Sequence, residues 1–182
     1  MARDAERKWL WRKWDQTWAP LLEAGLILLM GGVSLALRHP LLFASLGPTA
    51  YEQVEKPELV SSKLYNVVVG HWIAIGCGFL ALWLTGAWYV ANPMTTGHFS
   101  GVRVWACVLA VAMTTLVTLL LKARQPAAEA TALLIAIGSL QRPSDAWSIA
   151  LAVAILGLVG EPIRRMRLTP RQRMEPKNLK AA

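Results

Sequence analysis

Charge is scarce in this chain: 16% of its residues are Asp, Glu, Lys or Arg, against 55% that are hydrophobic. Soluble domains carry about a quarter charged residues, so this balance excludes an ordinary water-soluble globule. Cysteine is nearly absent. Cys77 and Cys107 both sit inside apolar runs, which favours small buried side chains over a disulfide or a metal ligand. The chain has no phosphate-binding glycine loop, no His-Glu-x-x-His helix and no nucleophile elbow. The common soluble-enzyme chemistries therefore lack their residues here, and no catalytic residue, metal or cofactor is expected. The start shows no short apolar run closed by a small-residue cleavage site, and Asp4, Glu6 and Asp15 speak against an organellar transit peptide. It is expected to belong to the mature protein.

What is present is segregated. Arg3, Arg7, Lys8, Arg12 and Lys13 crowd the start, and Arg164, Arg165, Arg167, Arg171, Arg173, Lys177 and Lys180 crowd the end, with long apolar runs between them. A net charge of +8 could suit nucleic acid. Basic ends around an apolar middle, with a mean hydropathy of +0.40, instead fit the positive-inside rule with both termini in the cytoplasm of a bacterial inner membrane. No nucleic-acid partner is expected. Trp9, Trp11, Trp14 and Trp18, interleaved with Arg and Lys, suggest an amphipathic interfacial segment over 1–18. Residues 162–182 read as a basic cytoplasmic tail.

The expected fold is an all-α polytopic membrane protein over residues 19–161. Stretches at about 19–37, 65–91 and 102–122 meet the requirement of roughly 20 apolar residues per span, and 145–161 is nearer the short limit. Pro40 to Val54 and Pro126 to Leu140 are too short to cross in regular fashion, since about 15 residues at ~1.5 Å reach only part of a ~30 Å core. Short or broken helices are expected there, each begun by its proline, with the first broken again at Gly47-Pro48.

Laying 34–45 over 120–131 pairs Leu35 with Leu121, Arg38 with Arg124, Pro40 with Pro126 and Ala44 with Ala130. Each copy lies in the same order of long helix, Arg-x-Pro, short segment and long helix, so two repeats are expected, at about 19–91 and 102–161. Three crossings per repeat would invert the second relative to the first. Six crossings put Lys56, Lys63, Lys122 and Arg124 on the cytoplasmic side and leave the 92–101 loop, free of Lys and Arg, outside.

Ionisable groups in membrane segments are costly, by ~2.5–3.5 kcal/mol on insertion scales. Glu23 and Lys122 are close enough to helix ends to reach an interface. Arg38 and Arg124 are either boundary residues or, beside positive helix ends, anion-attracting groups. Glu129 is either an ion-pair partner of Arg124 or Lys122, or a buried proton carrier. His39, Ser45, Gly47 and Thr49 gather near the first break, Asn66 and His71 open the next long helix, and Gln125 and Thr131 flank the second short segment. His71 suits a hydrogen bond between helices or a titrating gate. Gly70, Ala74 and Gly78 form a small-residue stripe that marks close helix packing.

These residues resemble the HPP family of small integral membrane proteins. FASLGPTAYEQV (43–54) followed by YNVVVGHW (65–72) is similar to that family's Ser-x-Gly-x-x-Ala segment and Asn-x-x-x-Gly-His helix start. ARQPAAEATALLIAIGS (123–139) is similar to its His-Pro-Pro-Ala-Gly-Ala-Thr-Ala segment, with Gln125 in place of the His, Ala127 of the second Pro and Glu129 of the Gly. The resemblance covers about 20–161. Members in chloroplasts and cyanobacteria are associated with nitrite transport, so it implies a small inorganic anion as substrate, nitrite first.

The resulting expectation is a transporter or channel for such an anion, with a path lined by Arg38, His39, Ser45, Gly47, Thr49, Asn66, His71, Arg124, Gln125, Glu129 and Thr131. Its partners would be the anion and the lipid bilayer, with a homo-oligomer as an option. The rival is a membrane scaffold or accessory subunit in which the same polar residues only pack helices.

Overall fold

The computed structural model describes residues 2–168, with side chains from Thr17 onward. Trp9, Trp11 and Trp14 and the tail from residue 169 lie outside that description as side chains. Among the described residues every regular element is helical: α1 (Ala2–Leu37), α2 (Leu46–Glu55), α3 (Leu64–Thr85), a 3-10 turn (Ala87–Tyr89), α4 (Pro93–Thr96), α5 (Gly101–Leu120), α6 (Pro126–Ile137) and α7 (Pro143–Arg167). Four helical stretches are long and apolar enough to cross a membrane, namely Thr17–Leu37, Leu64–Thr85, Gly101–Leu120 and Pro143–Arg167.

Local chemistry sets the boundaries. Gly86 and Gly138, with φ of 68° and 94°, close α3 and α6 in the left-handed conformation that glycine adopts freely. Ser100 caps α5 by accepting the Arg103 N–H at 3.3 Å, and Gln125 caps α6 by accepting the Ala127 N–H at 3.4 Å. Pro126 and Pro143 occupy first helical turns, where an N–H would be unpaired anyway.

The structure refines or departs from the sequence expectation in four places. The helix continues through Pro20, so residues 2–18 join the first long helix without a break. Pro40 does not begin a helix: residues 40–43 carry no regular structure, α2 starts at Leu46, and Pro48 lies in its first turn without breaking it. The last span is 25 residues long, not short. The repeat register also shifts. α1 closes with Arg38 N–H to Leu35 O and His39 N–H to Ser34 O, and α5 closes with Lys122 N–H to Leu119 O and Ala123 N–H to Thr118 O. Arg38 and Lys122 share a positive φ, 52° and 53°. In backbone conformation Arg38 thus matches Lys122, and Arg124 lies two residues beyond.

Contacts at helix ends define two faces. On one, which we call proximal, Arg164 donates to Pro57 O at 2.9 Å, Leu64 N–H donates to Glu161 at 3.2 Å, and Tyr65 donates to Leu121 O at 3.2 Å. On the other, distal, face the His39 ring meets the Ser148 hydroxyl at 3.5 Å and Asn92 donates to Gly138 O at 3.1 Å. Residues 39–57 therefore run the length of α7 between Ser148 and Arg164, which at ~1.5 Å per residue is about 24 Å. Residues 121–138 similarly run the length of α5. Each short helix, with its flanking chain, passes from one face to the other.

The packing pairs exchange under a swap of halves. α1 packs on α2 as α5 packs on α6; α1 on α7 as α5 on α3; α2 on α7 as α6 on α3; and α3·α7 and α2·α6 map onto themselves. Each short helix thus lies against the closing long helix of the other half. Glycines permit this. A Cβ on Gly70 would fall 2.8 Å from Gln125 Cβ, and one on Gly78 2.9 Å from Ile135 Cβ, while one on Gly160 would overlap the Gln53 carboxamide. The stripe expected to mark close packing on α3 does so, against α6.

Candidate functional site

The interior is apolar except for a set of enclosed polar side chains. Ser45, Thr49, Gln53 and His71 are fully buried, and Asn66, Gln125 and Thr131 nearly so. Some are satisfied. Thr49 donates to Ser45 O at 2.9 Å, and Asn66 donates to Arg124 O at 3.0 Å, fixing the start of α6 against α3. Others are not: Ser45 Oγ, His71 Nε2, Gln125 Nε2 and Thr131 Oγ1 have no hydrogen-bond partner among the described residues, and the same holds for both carboxamide atoms of Gln53, Glu52 Oε2 and Arg103 Nε. A buried polar atom left unpaired costs ~1–3 kcal/mol, so eight such atoms in one small bundle require a reason.

The first four differ in depth, with Gln125 at the proximal end of α6 and Ser45, His71 and Thr131 inside. Ser45 precedes α2, whose other end reaches the proximal face, so a ten-residue helix puts Ser45 about 15 Å inside. His71 lies seven residues along α3, and Thr131 six beyond Gln125, each about 10 Å from that face. α6 packs against both α3 and α2. The Leu46 N–H at the start of α2 donates to Phe43 O at 3.0 Å and Pro48 has no N–H, so Gly47 is the one residue among the first three of α2 with an N–H to offer at depth, beside a positive helix end in the apolar region. Gly47 in that first turn is half-buried, and a Cβ there would meet nothing within 4 Å.

The charged residues singled out from sequence do not join this group. Arg38 and His39 are exposed on the distal face, and Arg124 is exposed on the proximal one. Arg38 precedes extended chain, not a helix start. Glu129 is half-buried, and its described partner is the Thr115 hydroxyl at 3.0 Å, rather than Arg124 or Lys122.

Two further polar centres emerge that sequence reasoning passed over. Arg103 is fully buried, donating to Ala136 O and Gln141 Oε1 at 3.0 Å each and to Val90 O. It places a guanidinium on the negative end of α6. The i, i+3 and i, i+4 spacing of Glu161, Arg164 and Arg165 could have signalled the second. Glu161 takes both Arg164 nitrogens at 2.8 Å and Arg165 at 2.7 Å. Two cavities lie away from the buried group: an apolar groove of about 410 Å³ lined by Trp72, Phe79, Trp88 and Trp147, and a polar distal pocket of about 350 Å³ at Asn92, Gln141, Arg142 and Asp145. Among the described residues no cluster of His, Cys, Asp and Glu could hold a metal.

Several apolar membrane-length helices with polar groups enclosed between them define a polytopic all-helical membrane protein. A family described as "HPP, transmembrane region" matches residues 11–165, and the chain belongs to the HPP family. Neither the curated proteins nor the solved structures include a match to it.

Proposed function

We propose that the protein moves a small inorganic anion across the membrane, with nitrite the first substrate to test. The observation that carries this reading is the set of unpaired groups on Ser45, Gln125, Thr131 and His71, drawn from both halves of the chain and enclosed in an apolar bundle. Hydroxyls and amides are donors suited to an oxyanion, and the α2 N-terminus adds a positive end about 15 Å inside. A helix that begins at depth and not at a surface is the arrangement that discontinuous helices supply in transporters built from repeats.

The two halves act as inverted repeats of three passes each. The proximal face, with Lys56, Lys63, Lys122, Arg124, Arg164, Arg165 and Arg167, is cytoplasmic by the positive-inside rule, and the 92–101 loop is outside. Arg38 and Arg124 stand at the two mouths. There a guanidinium concentrates anions without binding them in the dehydrated centre.

Uptake by purified protein in liposomes tests the reading against a panel of nitrite, nitrate, formate and chloride. Ser45→Ala and Thr131→Val should each slow uptake at least about tenfold, the scale of one lost hydrogen bond to a charge. The rival, a scaffold without transport, is favoured by the tight α3–α6 contact at Gly70 and Gly78. Folded protein with no uptake above empty vesicles for any anion would establish it.

A further inference from the structure

His71 is on α3 and fully buried. Its Nδ1 lies 2.8 Å from Val67 O. A carbonyl oxygen only accepts, so Nδ1 carries the hydrogen, and the tautomer is fixed by a bond within the helix. In the neutral ring Nε2 is then a bare lone pair, and it has no partner among the described residues. A lone pair cannot hold an anion. Ser45, Gln125 and Thr131 present donors, whereas neutral His71, at about the depth of Thr131, presents the wrong sign.

No fixed charge corrects this. The groups acting on His71 are its apolar surroundings and the Val67 carbonyl. The titratable and charged groups on the elements packed against α3 are engaged elsewhere or exposed: Arg124, beside Gln125, is exposed, and Arg167 on α7 donates to Val54 O. On α5, Arg103 is held by Ala136, Val90 and Gln141, with Cys107 beside it. On α6, Glu129 is held by Thr115. On α7, Asp145 accepts the Arg142 N–H, and Glu161 binds Arg164 and Arg165. On the 3-10 turn, Tyr89 is almost wholly exposed. On α3 itself, Tyr65 bonds Leu121 O and Cys77 faces Thr114. An unpaired anion brought into this centre would bear the desolvation cost of a lone buried charge, several kcal/mol.

Resting on the anion-transport reading, we propose that His71 makes the protein a proton–anion symporter, in which each monovalent anion crosses together with one proton carried on Nε2. A proton from water forms the Nε2–H bond, and the imidazolium donates through it to the anion while Nδ1–H keeps Val67. On the far side the Nε2–H bond breaks to water as the anion leaves, which restores the neutral ring. The pair carries no net charge, so the weak acid of the anion and the anion plus a proton are one substrate.

Calorimetric titration of the purified full chain with sodium nitrite, in two buffers of different ionisation enthalpy, tests this. Wild type should take up about one proton per nitrite bound, and His71→Gln should bind at least about tenfold more weakly with no uptake. Nitrogen NMR of wild-type protein gives the same answer without a variant: the Nε2 signal of one histidine should change from unprotonated to protonated when nitrite is added. Nitrite bound with no proton uptake, or with His71 Nε2 unprotonated, overturns the symport while leaving anion binding intact. No heat and no signal change with any anion of the panel overturns both, together with the transport reading.

Discussion

Arg103 and Gly138 interlock: a Cβ on Gly138 would lie 2.7–2.8 Å from three atoms of the Arg103 guanidinium. The glycine both ends α6, at φ 94°, and leaves room for the cation that neutralises that helix end. Arg103→Ala should therefore destabilise by about 2–3 kcal/mol, because carbonyls at Ala136 and Val90 lose a charged donor inside the bundle. Gly138→Ala should cost at least as much, from strain and collision together. The double variant should fall short of the sum, since removing the guanidinium vacates the space the methyl needs. Thermal unfolding in detergent of the four proteins measures the coupling.

Glycines divide cleanly by what surrounds them. Gly70→Ala and Gly78→Ala should each cost about 1–3 kcal/mol by forcing α3 from α6. Gly76→Ala on the same helix meets nothing within 4 Å, and should be neutral or stabilising by up to about 1 kcal/mol. Melting temperatures of the three single variants decide it; an equal loss at Gly76 would refute the packing assignment.

The Glu161 cluster joins α7 to the loop before α3. Glu161→Ala strands Arg164 in a site only 7% exposed, and should destabilise by about 3–5 kcal/mol. Arg165→Ala, whose side chain is 72% exposed, should cost no more than about 1 kcal/mol. Comparing denaturation midpoints of the two isolates the buried pair from the surface one.

Single cysteines at Glu58 and Thr96, in a background lacking Cys77 and Cys107, report the orientation. An impermeant thiol reagent added to intact cells should label Thr96→Cys alone. Labelling of Glu58→Cys from outside would contradict six passes with the proximal face inward.

Much of the fold was legible because hydropathy alone marks long apolar helices, and because Pro126 after Gln125 is a recognisable helix start. Pro40 misled for a physical reason: the same dipeptide logic applies to extended chain, and only the packing of Leu41 and Phe43 decides between them. Arg103 could not be read at all. At the third position of a helix it looks like an interfacial cation, and its partners are carbonyls at Val90 and Ala136, which sequence does not distinguish from any others. Gly138 was the one available sign, as a glycine ending an apolar run. The unpaired atoms of Ser45, Thr131 and His71 were candidates by residue type, but only coordinates show which of their neighbours fail to bond them.

The exchange of short helices between halves bears on how the chain is made. α2 finds its long partner in α7, which leaves the ribosome after the helices before it, and until then Gln53 has no Gly160 to lie against. α1, α2 and α3 therefore form an unfinished assembly until then, with a polar side chain waiting for cover. Cutting the gene in the 92–101 loop should give two fragments that are degraded when made singly and rescued when made together, because each half is the template on which the other completes its fold.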